Sequence, residues 1–462
     1  MNQSSSGNSA GRDGLSGGDQ RAAQSQSITG RNARRAPGFA WWAICVAGAA
    51  GLAVAGGAIF SNPGTVAQLV NGGASSVAIA QANTPARAQA AAPAAAQPGG
   101  KKTDAPAAPA VDKPAASTGE NKFGRPTPIA KPAGKLRIAS YNVENLFDDK
   151  DDPALSGQFD DAKMLKPLEH RKAVAKAIRA VNADVLALQE IESKEALLAF
   201  RDEFLKGMGY EHVVSIDSGD DRGIEQAVLS RYPLKDEKIW KELPLGGVQP
   251  ERVGSDRNPN AGEPLVLKRS PLRVTVSVPA TATAKMALEA GVEAQEGKGY
   301  EVVMFVVHHK SGGRATEYWR DAESKKVVEL VGEEIKANSN ANIVVLGDFN
   351  AEPRSNAMKT YFDSGLLSAF DGAGPGDLSA VTHASGRIID HVLMNANLRA
   401  EFKPETKFVL GTPNRVNNRD WRNTPPPEGW ASDHYAVVVD IVPVDQPVTS
   451  EEAARKPAGT GN

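Results

Sequence analysis

The sequence has almost no cysteine. Cys45 stands alone among 462 residues, which excludes a disulfide framework and a thiolate zinc site, so any metal must be held by oxygen or imidazole. Aromatic residues are scarce at 6%, while Gly (44) and Pro (30) are abundant. That mixture implies a globular part diluted by low-complexity sequence. Net charge is nearly absent as well. Lys and Arg total 53 against 55 Asp and Glu, which argues against a protein drawn to polyanions by bulk charge alone. Two catalytic signatures are missing too. Outside the Ser/Gly-rich first residues no Gly-x-Ser-x-Gly elbow presents a nucleophilic serine, and no Gly-x4-Gly-Lys-[Ser/Thr] loop cradles a triphosphate.

What is present is unevenly distributed. Residues 1–37 are rich in Ser, Gly, Gln and Asn without an apolar period, and are expected to be disordered. Residues 38–60 carry no charge, and a helix of that length crosses the hydrocarbon core, so a transmembrane helix or signal anchor is expected there. Arg31, Arg34 and Arg35 precede it. The positive-inside bias then keeps the N-terminus cytoplasmic and sends the remainder into the periplasm or to the cell surface. Secretion after cleavage near Ala78-Ile79-Ala80 is the alternative. Residues 61–134 form an Ala/Pro-rich linker, with Ala and Pro supplying 26 of the 54 residues in 81–134. Residues 445–462 are expected to be a disordered tail. One domain, 135–444, is left to carry the function.

Within it, β-type runs at 136–143, 184–189, 226–230, 272–278, 301–307, 343–347, 388–394 and 435–441 alternate with helical stretches. An α/β or α+β layered domain follows from that alternation. The informative feature is what terminates the runs. Asn142 and Glu144 close the first at i and i+2, which in a regular strand places both on one face. Glu190 ends the second. His308 and His309 end another, Asp348 and Asn350 follow 343–347, Asp390 and His391 interrupt an apolar strand, and Asp433 and His434 precede the last. His170, His212 and His383 fall elsewhere. Such an arrangement describes a pocket at one sheet edge, lined by hard oxygen ligands suited to Mg2+ and by imidazoles suited to proton handling.

Those stretches, in order, are Ser140-Tyr-Asn-Val-Glu-Asn-Leu-Phe147, Leu188-Gln-Glu190, His308-His-Lys-Ser311, Gly347-Asp-Phe-Asn350, Ile389-Asp-His391 and Ser432-Asp-His434. From 135 to 444 the chain resembles the endonuclease/exonuclease/phosphatase superfamily, and its first stretch is most similar to bacterial secreted nuclease-like members. The resemblance implies a four-layered α/β sandwich of two packed mixed β-sheets flanked by helices. It implies Glu190 as the principal metal ligand, with Asn142, Glu144 and Asp433 in or near the metal shell. Asp348 would orient or deprotonate the attacking water or assist the leaving oxygen, and Asn350 would hold the scissile phosphate. His434, oriented by Asp390, would act as acid/base or charged donor. His308 would contact phosphate, with His309 its neighbour on the other face. The implied cofactor is Mg2+, with Mn2+ or Ca2+ as alternatives.

Residues 217–300 match that pattern only in patches and are expected to be a solvated insertion. Beside the last motif, Arg415, Arg419, Trp421 and Arg422 combine planar cations with an indole, which suits a nucleic-acid substrate. The leading expectation is a membrane-tethered phosphodiesterase cleaving nucleic acid outside the cytoplasm. The rivals are a phosphatase or phospholipase-C-type enzyme on inositol or lipid phosphate, and an inactive surface binding protein. No protein partner is inferable, and a monomer is expected.

Overall fold

The computed structural model describes residues 120–150, 164–374, 376–415 and 425–454. The expected N-terminal segment, membrane helix and most of the linker lie outside them. Among the described residues no helix is long and apolar enough to cross a membrane.

The Val-, Ile- and Leu-rich runs form strands with both faces buried. In chain order, β1 (Leu136–Leu146), α1 (Leu168–Val181), β2 (Val185–Ile191), α2 (Lys194–Phe204), β3 (His212–Ser215) and β4 (Glu225–Ser230) begin a first sheet. The chain then crosses to a second sheet with β5 (Leu234–Lys238). It makes two small hairpins from β6 (Pro244–Val248), β7 (Arg252–Val253), β8 (Asp256–Arg257) and β9 (Pro264–Val266). The second sheet continues with β10 (Leu272–Val278), α3 (Ala280–Ala290), β11 (Tyr300–His308), α4 (Glu317–Ala337), β12 (Ile343–Asp348), α5 (Asn356–Asp363), β13 (Leu367–Ser368), β14 (Asp390–Met394) and α6 (Ala396–Glu401). Finally β15 (Phe408–Leu410) and β16 (Ala436–Ile441) return to the first sheet, before α7 (Ser450–Ala454). The spatial orders are β15-β16-β1-β2-β4-β3 and β13-β14-β12-β11-β10-β5.

Among the described strands, only β1/β2 and β11/β12 pair in parallel, because α1 and α4 supply the long crossovers that parallel strands require. Ile138, Val185, Ala187, Val228, Met304, Val306, Val344, Leu346 and Val392 fill the space between the sheets. The alternate residues face outward. Tyr141, Leu186 and Leu188 meet Val174, Ile178 and Leu197 of α1 and α2, and Phe305 and Val345 meet Val327, Leu330 and Met358 of α4 and α5. The fold is mixed α/β, with two packed mixed sheets and helices against them.

Three expectations need correction. The ordered domain begins before 135: Lys131 Nζ donates to Asp184 at 2.8 Å, and Arg125 bridges to Leu410. It also continues past 444, where α7 is tied down by the Arg399–Glu452 ion pair at 2.5 Å. Low local hydrophobicity hid both extensions, because long-range ion pairs hold them. Nor is 217–300 one solvated insertion. Besides the expected strands at 226–230 and 272–278, β5 is an edge strand of the second sheet, and the charges of its Leu-Lys-Asp-Glu-Lys suit that exposed position. Only the segment of β6–β9 stands out from the sandwich as separate two-stranded hairpins.

Candidate active site

Parallel pairing puts the C-terminal ends of β1 and β2 at one edge, and those of β11 and β12 likewise. β14 and β16 run antiparallel to β12 and β1, so their N-terminal ends arrive at the same edges. The inward stripe of each strand then changes chemistry there. After Ile138 come Ser140 and Asn142; after Val185 and Ala187, Gln189; after Met304 and Val306, His308; after Val344 and Leu346, Asp348; and before Val392, Asp390. Asn142 pairs with Gln189 and Gln189 with Gln226, giving one polar row across the first sheet. His308, Asp348 and Asp390 are in register across the second. Gly347 makes this close approach feasible: at φ 139°, a Cβ there would lie 2.0 Å from the Val307 carbonyl oxygen.

Regular pleating does not place Glu144 and Glu190. Glu144 (φ 53°), Asn145 (φ 51°), Glu190 (φ 65°) and Asn350 (φ 48°) all take left-handed backbone conformations, and the pairing slips beside both glutamates. The i, i+2 reading of Asn142 and Glu144 therefore fails, and a bulge delivers Glu144 instead. Each strained residue costs on the order of 1–3 kcal/mol and persists because neighbours hold it. The Glu144 N–H donates to Asn142 Oδ1 (3.0 Å), Lys166 Nζ to the Glu144 carbonyl (2.8 Å), and the Asn145 N–H to Glu190 Oε2 (3.1 Å).

His434 Nδ1 lies 3.0 and 2.9 Å from the two Asp390 carboxylate oxygens, and its Nε2 is 3.7 Å from Asp348 Oδ2. Burial disfavours the His434 imidazolium, but Asp390, Asp348 and Asp433 outweigh it and hold its pKa well above the usual histidine value. Burial pushes Asp348 up to about 7, with His434 opposing and Asp390 adding. Asn142 Nδ2 donates to Asp348 Oδ2 (3.2 Å) and to Glu190 Oε1 (3.3 Å), bridging the two carboxylates. Asn350 spends its amide on Asp348 Oδ2 (3.0 Å) and the His309 carbonyl (3.1 Å), so here it orients Asp348 rather than facing outward for phosphate. His309 lies on the outer face as expected, 2.8 Å from Tyr361 Oη. His391 is likewise structural, 2.8 Å from the Ala351 carbonyl.

Sequence reasoning missed four side chains. Arg269 Nη1 donates to His308 Nε2 at 2.7 Å while its Nε is held by Asp220 at 2.5 Å. Burial first, then Arg269 and Arg222, keeps His308 neutral far below the ordinary histidine range. Arg222 reaches Glu190 at 3.7 Å. The buried Lys166 underlies Glu144. His383 Nε2 stands 3.4 Å from Asp433 Oδ2. Arg269 carried one usable signal, since it lies three residues before β10, near a strand end like other site residues. His383 carried none, because its loop has no periodicity.

Glu144, Glu190 and Asp433 are the carboxylates expected to hold a metal, while the described groups whose ligand atoms already lie close enough together for one ion are His383–Asp433–His434 and Asp348–Asp390–His434. The Asp433 N–H donates to Glu144 Oε2 at 3.2 Å. Burial, with Asp433 and Glu190 adding, pushes Glu144 up to about 8. Burial also opposes ionisation of Asp433, yet His383, His434 and Lys166 hold it down at about 2. Neighbouring carboxylates, with Glu144 held protonated more tightly by burial and by the charges beside it, fit a hard divalent cation. The Asn142 oxygen is already taken by the Glu144 N–H, which places Asn142 beside the cluster as a support. Arg415 sits 5.6 Å from the Trp430 ring centroid, and that indole is buried against the domain. Arg419, Trp421 and Arg422 lie outside the described residues.

The family profile described as Endonuclease/Exonuclease/phosphatase family matches residues 139–434. No curated protein matches the chain. Among solved structures, the human Nocturnin catalytic domain with bound sulfate is 15% identical, covering 67% of this chain and 95% of that one at a TM-score of 0.38. Truncated Caenorhabditis elegans TDP2 is 17% identical, covering 66% and 97% at 0.40. An endonuclease/exonuclease/phosphatase protein from Bacteroides vulgatus is 17% identical, covering 66% and 98% at 0.39. The profile match opens inside β1, closes on His434 and holds every strand end of the site between them; the chain belongs to the endonuclease/exonuclease/phosphatase family, whose members are hydrolases of phosphate esters.

Proposed function

We propose that this protein is a divalent-metal-dependent phosphodiesterase that cleaves nucleic acid outside the cytoplasm, tethered by residues 38–60. The observation that carries the reading is the buried chain Asp390–His434–Asp348, with the carboxylates of Asp433, Glu144 and Glu190 beside it. Arg222, Arg269 and Arg387 around it favour an anionic substrate. α1 and α2 outside one sheet, and α4 and α5 outside the other, support a four-layered sandwich.

Asp348, poised at about 7, accepts the proton of an attacking water. Asn142 and Asn350 fix its carboxylate, so little reorganisation is needed as the proton moves. His434, held as imidazolium by Asp390, donates toward charge developing on the phosphate oxygens. Burial, with Arg269 and Arg222 adding, holds the His308 pKa well below the ordinary histidine range. Mg2+ held by Glu190, Glu144 and Asp433 would supply charge neutralisation at the phosphate and acidify bound water.

The full-length protein, purified in detergent, is tested against plasmid, single-stranded DNA, RNA, a phospholipid and an inositol phosphate, each with Mg2+ and with chelator. Turnover of nucleic acid that chelator abolishes is expected. Preferential turnover of the lipid or inositol phosphate overturns the substrate assignment.

A further inference from the structure

The loop at 382–387 is fastened to both halves of the site. Thr382 Oγ1 accepts from the Asp390 N–H (3.0 Å), and the Ala384 N–H donates to the Asp433 carbonyl (2.7 Å). His383 lies in it, close to Asp433 and His434 as a third metal ligand would be. Its tautomer argues otherwise. The Ser385 N–H donates to His383 Nδ1 at 3.0 Å, so in the neutral ring the proton sits on Nε2, which faces Asp433 at 3.4 Å. His383 is therefore a donor to Asp433 with no lone pair aimed at the cluster. Ser385 Oγ lies 2.7 Å from Nδ1 and accepts from Arg387 Nε at 2.8 Å. A chain of polar contacts thus runs from Asp433, through its charge contact with His383, to Ser385 and Arg387.

Arg387 ends that chain at a cleft of about 110 Å³ that it lines with Arg354, Gly374 and Gly376, with Glu352 also present. A cleft of that volume, lined by two guanidinium groups, has room for a phosphate group. The terminal nitrogens of Arg387, and the whole guanidinium of exposed Arg354, have no partner among the described residues. Arg354 follows Asn350 by four residues, so both walls of the cleft are continuous with the catalytic strand ends. Neither glycine has a neighbouring atom within 4 Å of a built Cβ, so the backbone there is open to an incoming oxygen.

We propose that this cleft is a second anion subsite, which grips through Arg354 and Arg387 the phosphodiester next to the scissile one in a nucleic-acid strand. The inference rests on the phosphodiesterase reading above and adds a second contact. A planar guanidinium fork suits two phosphate oxygens at once, and cleavage beside an occupied subsite favours substrates with at least two consecutive phosphates.

Full-length wild type, Arg354→Gln, Arg387→Gln and Arg387→Lys are compared on a single-stranded oligonucleotide and on bis(4-nitrophenyl) phosphate, which has one phosphate. Oligonucleotide binding is also read by fluorescence anisotropy in chelator. The expected result is a loss of about tenfold in kcat/KM and in affinity on the oligonucleotide for each Gln variant. The salt slope of log K should fall by about 0.7 per arginine, and the loss on the small diester should be several-fold smaller. Arg387→Lys, which keeps the charge without the fork, should fall in between. Equal losses on both substrates, or unchanged oligonucleotide affinity in folded variants, overturn the subsite while leaving the phosphodiesterase reading intact. Wild type that turns over only the small diester overturns the nucleic-acid assignment and the subsite together, and turnover of neither overturns the hydrolase reading itself.

Discussion

Replacing Asp390 by Asn keeps the shape of the side chain and removes its charge. His434 Nδ1 then loses a carboxylate at 2.9 Å in a site where both side chains are almost wholly buried. A hydrogen bond to a charged group contributes about 1.5–3 kcal/mol net. The bare attraction of two unit charges about 4 Å apart at an effective dielectric near 20 is about 4 kcal/mol. The first figure governs if water relaxes into the gap, and the second if the site stays dry. At about 1.4 kcal/mol per factor of ten, kcat/KM should fall between about tenfold and a thousandfold. Asp390 is also one of the charges holding His434 protonated. Without it the imidazolium is lost at lower pH, so the alkaline limb of the pH–rate profile moves down. Steady-state kinetics from pH 5 to 10 on a chromogenic diester read both effects. The double variant Asp390→Asn/His434→Gln should cost little more than His434→Gln alone, because the two groups act as a unit. Fully additive losses, or an unmoved alkaline limb, refute the pairing.

Glu190→Gln should lower kcat/KM by about a thousandfold and weaken Mg2+ binding by calorimetry, with Tm little changed; unchanged metal affinity removes Glu190 from the centre. Far from the site, burial first and then Asp445 push Glu401 up to about 8, although Tyr300 and the Gln446 N–H oppose this. The folded state thus holds this proton more tightly than the unfolded chain, so its contribution is full below about pH 4.5 and is lost as pH rises toward 8. Tm of Glu401→Gln should fall less than wild type across that window; parallel curves contradict the assignment. Protease added to cells with the outer barrier opened and the inner membrane intact should digest the catalytic domain, and its protection reverses the orientation read from Arg31, Arg34 and Arg35. Trp421→Ala should raise KM on nucleic acid, and Arg419→Ala and Arg422→Ala should flatten its salt dependence; three variants that cleave like wild type at every salt concentration remove that loop from the substrate platform.

The strand ends were legible because burial on both faces produces unbroken apolar runs, so Asn142, Asp348 and Asp390 stood out where the pattern broke. Convergence of those ends was inferred from their number, and the two parallel pairs supply its physical reason. Other features left no local trace. A left-handed residue such as Glu190 reads in sequence like any strand end, and the bulge at Glu144 looks like regular alternation until its partner strand is known. Arg269 and Lys166 act across sequence separations that no short window spans. The edge strand β5 was concealed by its charges, because an exposed edge resembles a loop in composition.

The order in which the chain builds its two sheets has a consequence for when the enzyme first becomes competent. The first sheet supplies Asn142, Glu144 and Glu190, and the second supplies His308, Asp348, Asn350 and Asp390. Asp433 and His434 come only just before β16, the last strand in chain order, which lies between β15 and β1. A nascent or truncated chain therefore holds most of the catalytic groups without the one that spans the sheets. The site is therefore complete only once the last strand of the first sheet has taken its place.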